Sequence, residues 1–147
     1  MDRPYVLGVD LDGVCGDYTE AFRTVVAEQL GCSLDDLPLE RSWDFSEWGL
    51  DDEEFERLHH HAVTERRILS WMPVLDGAAD ALWRLSDAGV WIRIITHRLY
   101  VNWSHATAIA DTVEWLDVAA KDGELAGFVG GYAAGQWGYL LPRYDGA

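Results

Sequence analysis

Two aspartates stand two residues apart at the point where the first apolar run of the chain ends. Asp10 and Asp12 lie in the stretch GVDLDGVCGDY, after the apolar run Tyr5–Val9 and directly before Gly13. Two carboxylates this close repel each other unless one is protonated or a cation lies between them. Mg²⁺ suits such a place because it takes oxygen ligands and shares them with phosphate, and a carboxylate can also act as a nucleophile. The pair therefore indicates either a phosphate-handling site or an acidic surface turn.

The flanking sequence predicts the elements that would position this pair. The apolar run before Asp10 predicts a buried strand. Asp17 and Glu20 have the spacing of a helix start, and Gly31 suits the end of that helix. A second apolar run over 90–95, VWIRII, is rich in β-branched residues and predicts another core strand. Strands that alternate with helices indicate an α/β fold with a parallel sheet, in which ligands bind beyond the carboxyl ends of the strands.

Three more helices are predicted downstream of the first. One begins at Asp51 and Asp52, one covers 78–88, and one runs from about 102 to 116. On the last of these we expect the apolar residues to face inward, namely Ile109, Val113 and Leu116. The stretch 16–72 is too long for a single crossover, so it predicts a small helical cap inserted after the first strand. The tail 121–147 is rich in Gly, Ala and aromatic residues and carries only a weak strand signal.

Composition narrows the function classes. The 147 residues predict one domain, 1–147. With 26 acidic and 11 basic residues and a net charge of −15, the chain is not expected to bind nucleic acid through its phosphates. No apolar run approaches the roughly 20 residues of a membrane span, and the N-terminus has no signal-peptide pattern. Cys15 and Cys32 form no disulfide framework, so we expect a cytoplasmic protein.

The paired motifs resemble those of the haloacid dehalogenase-like phosphatase superfamily. The first motif of that superfamily is a strand that ends in Asp-x-Asp, and the second is a strand that ends in Ser or Thr, matched here by IITHR with Thr96. The form DLDGVCGDYTEAFR is most similar to the 5'(3')-deoxyribonucleotidase family. The resemblance covers roughly Tyr5 to Leu116 and implies an α/β Rossmann-like parallel sheet with a helical cap.

The resemblance also implies a role for each motif residue. Asp10 would be the nucleophile, and Asp12 would protonate the leaving alcohol and then deprotonate water. Asp10 and the backbone carbonyl of Asp12 would bind Mg²⁺, while Thr96 and the N–H of His97 would hold the phosphate. The implied activity is a Mg²⁺-dependent hydrolysis of (deoxy)nucleoside monophosphates, a step of deoxyribonucleotide catabolism.

Two further motifs of the superfamily are not evident. One is a Lys that steadies the phosphorylated Asp, and the other is an acidic pair that follows a later strand and completes the metal site. The only lysine is Lys121, which follows no clear strand, and the tail offers Asp145 but no such pair. Three explanations are open, in this order: a frameshifted or truncated tail, an inactive phosphate or nucleotide binder, or unusual positions for the missing groups. The alternative to an enzyme is therefore a non-catalytic relative or a defective fragment. If the tail does not fold, an exposed sheet edge would favour aggregation or a homodimer.

Other candidates have weaker support. Trp43, Phe45 and Trp48 in the predicted cap could stack on a nucleobase, although aromatic residues more often mark a core. The run His59–His61 could suggest a metal site, but adjacent helical residues point in different directions, which favours a solvated helix face.

Overall fold

A computed structural model describes residues 5–95, 105–122 and 137–140, with side chains described for 5–95 and 106–116. The chain folds into three strands and five α-helices within these ranges. In chain order they are β1 (Val6–Val9), α1 (Tyr18–Leu30), α2 (Asp52–Thr64), α3 (Ile68–Trp71), α4 (Ala78–Asp87), β2 (Trp91–Ile95), α5 (His105–Asp122) and β3 (Trp137–Leu140).

The described strands form one parallel sheet with β2 in the middle. Its order is β1-β2-β3, and Val9 lies level with Ile94. This confirms the predicted α/β class and parallel pairing. Val9, Ile92 and Ile94 are buried, whereas Val6 is 50 % exposed. The prediction of a buried first strand therefore holds for one face of β1 and not for the other.

The acidic helix starts form as the spacing predicts. The Asp17 carboxylate accepts the backbone N–H of Glu20 at 3.0 Å and so begins α1. Gly31 ends that helix with a positive φ of 65°, which costs glycine little. At α2, Asp51 and Glu54 bond reciprocally to each other's backbone N–H groups.

The buried face of α5 differs from the prediction. Ile109 and Val113, expected to face inward, are 37 % and 48 % exposed, whereas Leu116 is buried as predicted. The buried face instead carries two polar anchors. The carboxylate of Asp111 accepts two N–H groups of Arg67, at 2.6 and 2.5 Å, and Trp115 donates to a backbone carbonyl of the loop after α3. The spacing of apolar residues therefore predicted the wrong buried face, because part of the true buried face is polar.

The stretch between β1 and β2 is helical, as expected. Its first part holds α1 to α3 and two 3₁₀ turns, at Leu34–Asp36 and Ser46–Trp48. The four-residue helix α3 was not predicted, and neither was the position of β3 in the tail. The division into an insert over 16–72 and an atypical tail over 121–147 stays a prediction.

No helix in the described ranges is long and apolar enough to cross a membrane.

The polar anchor on α5 makes a testable contribution to stability. Trp115 is 3 % exposed and its indole N–H donates to the Met72 carbonyl at 2.7 Å. Replacing Trp115 by Phe removes this buried hydrogen bond, so the free energy of unfolding should fall by about 1–3 kcal/mol. Trp71, which is 42 % exposed and donates to the Arg66 carbonyl at 2.7 Å, is the matched control. Urea unfolding should show a smaller loss for Trp71→Phe, and equal losses would contradict the assigned anchor.

Candidate active site

The loop after β1 is folded around one backbone carbonyl. The carbonyl of Leu11 accepts the N–H groups of Val14, Cys15 and Gly16 at 3.2, 2.9 and 2.8 Å. Gly13 allows this turn because its φ is 74°, in the left-handed region. The Leu11 side chain is fully buried. The two aspartates thus flank a residue that is fixed at both its side chain and its carbonyl.

The two aspartates have different surroundings. Asp10 directly follows β1 and is exposed, and its Oδ1 accepts the N–H of Leu11 at 2.7 Å. Asp12 is partly buried and lines a cavity. Thr96, the predicted phosphate ligand, comes directly after the last residue of β2, but it and His97 lie outside the described residues.

This loop is bonded to the segment that leads into α4. The N–H of Asp17 donates to the Pro73 carbonyl at 2.7 Å, and the N–H of Leu75 donates to the Cys15 carbonyl at 2.8 Å. Gly16 also forms an antiparallel bridge with Val74. The two ends of the helical stretch that follows β1 therefore lie side by side, directly after the aspartate pair.

A cavity of about 550 Å³ opens beside Asp12. Its walls combine aromatic rings with a few polar side chains, which is the usual composition of a small-molecule site. The lining residues are Asp12, Gly13, Tyr18, Thr19, Arg41, Trp43, Asp44, Phe45, Asp52, Phe55 and His59.

Tyr18 and His59 form a hydrogen-bonded pair in the cavity wall. The Tyr18 oxygen lies 2.5 Å from Nδ1 of His59, and the His59 ring stacks on Phe55 at an interplanar angle of 9°. Burial raises the pKa of Tyr18 well above its usual value, and nearby Asp12 adds to that rise. Burial also lowers the pKa of His59, against the opposing effect of Asp12. Both partners are therefore neutral at neutral pH and share one hydrogen bond.

Arg41 brings a positive charge to the same wall. Its Nε and Nη2 donate to Oγ1 of Thr19 at 3.2 and 2.8 Å, and Nη1 donates to the Ser42 carbonyl at 3.0 Å. Its Cζ lies 3.7 Å from the centroid of the Phe45 ring. Burial lowers the pKa of Arg41, while Tyr18 acts against that shift.

The three aromatic candidates from the sequence have different positions. Trp43 lines the cavity and is 94 % exposed. Phe45 also lines it but is only 3 % exposed. Trp48 is buried away from the cavity lining, with its indole N–H bonded to the Pro38 carbonyl at 2.8 Å.

The described oxygen donors fit a weakly chelated hard cation. No group of three or more His, Cys, Asp or Glu side chains in the described residues could hold a metal. Mg²⁺ does not need such a group, because it is commonly bound through one or two carboxylates, with waters and substrate phosphate as its other ligands. The exposed Asp10 carboxylate and the Asp12 carbonyl are donors of that kind.

Among the members of the cavity wall that sequence reasoning did not assign to the site are Tyr18, Arg41 and His59. His59 follows Phe55 by four residues and so shares its helix face, which separates it from its two histidine neighbours. Tyr18 is the first residue of α1, directly after the Asp17 cap. Its closeness in sequence to the Asp-x-Asp motif could have indicated that it lies near the site. The loop position of Arg41 gave no periodic signal.

The parallel α/β sheet with an Asp-x-Asp loop after β1 has the architecture of haloacid dehalogenase-like proteins. The model of a family described as "5' nucleotidase, deoxy (Pyrimidine), cytosolic type C protein" matches residues 4–120. A protein of Chlorobaculum tepidum named "Putative 5'(3')-deoxyribonucleotidase" is 48 % identical over 113 residues, or 76 % of this chain. The chain belongs to this haloacid dehalogenase-like cytosolic type C 5'-nucleotidase family. It spans 56 % of the length of the Chlorobaculum protein.

The neutral state of His59 predicts a pH dependence of stability. Because burial lowers its pKa from the usual 6.5 in the folded protein, the unfolded chain binds the extra proton first as the pH falls. The contribution of His59 to the free energy of unfolding is therefore fully present above about pH 6.5. It is lost as the pH falls from there toward the lowered pKa of the folded protein. Urea unfolding at pH 7.5 and 5.5 should show a smaller pH-dependent loss in His59→Gln than in the wild type. The exposed neighbour provides the control: His60→Gln should keep most of the wild-type loss, because burial is the main cause of the lowered His59 pKa and His60 adds a smaller part.

Proposed function

We propose that this chain provides the phosphoryl-transfer site of a phosphomonoester hydrolase that acts on (deoxy)nucleoside monophosphates. The observation that carries the proposal is that the second aspartate of the Asp-x-Asp loop lines a cavity with aromatic walls. A phosphate at the loop would leave room for a sugar and base in that cavity. The family membership supports the nucleotidase class, and the name of the Chlorobaculum relative supports deoxyribonucleotides as substrates.

In the proposed reaction Asp10 and Asp12 divide the chemistry. A carboxylate oxygen of Asp10 attacks phosphorus, the bond from phosphorus to the ester oxygen breaks, and Asp12 gives its proton to the leaving sugar hydroxyl. Water then attacks the phosphorus of the aspartyl-phosphate, Asp12 takes the water proton, and inorganic phosphate leaves with Asp10 restored. The exposed position of Asp10 suits in-line attack, and the partly buried position of Asp12 on the cavity side suits contact with the leaving group.

Mg²⁺ is the proposed cofactor. The Asp10 carboxylate and the Asp12 backbone carbonyl would hold it, with phosphate oxygens and water as the remaining ligands. When bound it neutralises the charge of the phosphate, which lowers the electrostatic cost of attack by a carboxylate. Thr96 and the N–H of His97 are proposed to bind the phosphate oxygens.

Trp43 is the proposed outer contact of the base. An indole that is 94 % exposed at a cavity rim gains burial when a planar ligand arrives. Phe45 and Trp48 lie in the packed aromatic cluster around Phe22, which supports a role in shaping the wall rather than direct stacking. The proposed location is the cytoplasm, in keeping with the family description, and a homodimer stays a prediction.

Loss of the nucleophile tests the reaction. Asp10→Asn should lower Mg²⁺-dependent phosphate release from nucleoside monophosphates by at least about 10³-fold, since the covalent step needs the carboxylate. EDTA should abolish release by the wild type. Asp76→Asn, at an exposed aspartate outside the cavity lining, is the matched control and should keep wild-type activity. A folded wild type that binds nucleotides and releases no phosphate would contradict a hydrolase and favour a binding protein.

Removal of the rim indole tests the placement of the base. Trp43→Ala should raise KM for nucleoside monophosphates by about 10-fold, a typical value for the loss of one stacking ring. The same variant should leave KM for 2-deoxyribose 5-phosphate and the urea midpoint unchanged, because Trp43 is almost fully exposed. An equal rise in KM for the base-free substrate would place the base elsewhere.

A further inference from the structure

The ring face of Phe45 that would accept a nucleobase is already covered. Phe45 is 3 % exposed, and the Cζ atom of Arg41 lies 3.7 Å above its ring centroid. Phe22, Trp48 and Phe55 crowd the same ring at centroid distances of 5.3, 4.8 and 5.2 Å. A base could stack on Phe45 only after Arg41 had left its place.

Arg41 is held firmly in that place. Three of its N–H donors are used, two by the Thr19 hydroxyl and one by the Ser42 carbonyl. The Thr19 contacts fix the guanidinium to α1, and the Ser42 contact fixes it to its own loop. A guanidinium that is bonded along its edge and seated on an aromatic ring keeps a defined plane.

Arg41 forms no direct ion pair with a described carboxylate, although Glu47 acts on its charge from a greater distance. Other described arginines, including Arg23, Arg66 and Arg67, lie within ion-pair distance of an acidic side chain. Arg41 has no such pair with a described residue, although the chain carries 26 acidic residues. A half-buried cation with no direct ion pair in a cavity wall favours a ligand with a polarisable, electron-rich face.

We infer that the Arg41 guanidinium is the inner stacking platform for the nucleobase, with Phe45 as its support and Trp43 as the outer cover. The guanidinium plane stacks well on nucleobases, and the Phe45 ring, whose centroid lies 3.7 Å from the Cζ atom, supports it. This inference rests on the proposed function for the identity of the ligand. It makes Arg41 a specificity-determining residue that separates nucleotides from base-free sugar phosphates.

Stacking on a base and hydrogen bonding to the edge of a base predict different selectivity among nucleotides. Every base has a π-face, so a platform tolerates different bases. An arginine that used its free N–H groups to read a base edge would instead need a carbonyl or ring-nitrogen acceptor and would discriminate among bases. The structure therefore predicts that thymine and adenine nucleotides lose affinity together when the plane is removed.

The test measures binding without turnover. On an Asp10→Asn background, calorimetry gives Kd for dTMP, dAMP and 2-deoxyribose 5-phosphate. Arg41→Lys keeps the charge and loses the plane, so it should weaken dTMP and dAMP alike, by about 10-fold, and leave 2-deoxyribose 5-phosphate unchanged. Arg84→Lys, at an exposed arginine on α4, is the matched control and should bind all three as the background does. Thr19→Val keeps the guanidinium but removes its two hydrogen bonds to α1, so it should weaken the binding of both nucleotides by a few-fold. This second variant tests the inference if Arg41→Lys does not fold.

Each outcome decides the inference separately from the reaction. Unchanged nucleotide binding in Arg41→Lys or Thr19→Val would overturn the platform. A loss confined to dTMP would show that Arg41 reads a base edge, and an equal loss of 2-deoxyribose 5-phosphate would show that it acts on the phosphate or the fold; either would overturn it. Base-dependent binding by a wild type that releases no phosphate would refute the proposed hydrolase and leave the platform standing.

Discussion

The carbonyl of Leu11 is the point on which the described site depends. By accepting three successive N–H groups, it turns the chain sharply after β1 and satisfies backbone donors that the sheet no longer pairs. The same residue buries its side chain completely. The backbone around Asp10 and Asp12 is thus held in place before any ligand binds. Ordering these two residues around a substrate would therefore cost little conformational entropy.

That turn also fixes where the cavity lies. The Cys15 carbonyl and the Asp17 N–H bond to the segment after α3, so the helical stretch leaves the sheet and returns to it at one place. The aromatic cluster around Phe22 then joins α1, α2 and the loop between them. At the far side, the ion pair of Arg67 with the buried Asp111 holds α5 against the loop before α3. Short connections near the aspartates and packed contacts elsewhere keep the cavity walls at a fixed distance from Asp12.

The sequence was most informative where structure is local. The helix starts at Asp17 and Asp51 and the end at Gly31 follow from capping chemistry within a few residues, and the structure confirms them. The buried face of α5 could not be read the same way, because its Asp111 finds its partner 44 residues away. Arg41 was not predicted for a similar reason. Its position in the cavity wall depends on contacts with Thr19 and Phe45, which only the folded chain brings together.

The charges of the cavity wall fit the demands of the proposed reaction on Asp12. This residue would have to release a proton in one step and accept one in the next. A cationic neighbour would favour its ionised form throughout, so a charged His59 beside it would oppose the first step. Burial keeps His59 neutral within its hydrogen-bonded pair with Tyr18. The positive charge in the wall is placed instead on Arg41, whose nearest described contacts are Thr19, Ser42 and Phe45 rather than Asp12. Separating the neutral pair from the cation would let one wall serve both the proposed proton transfer and the proposed base binding.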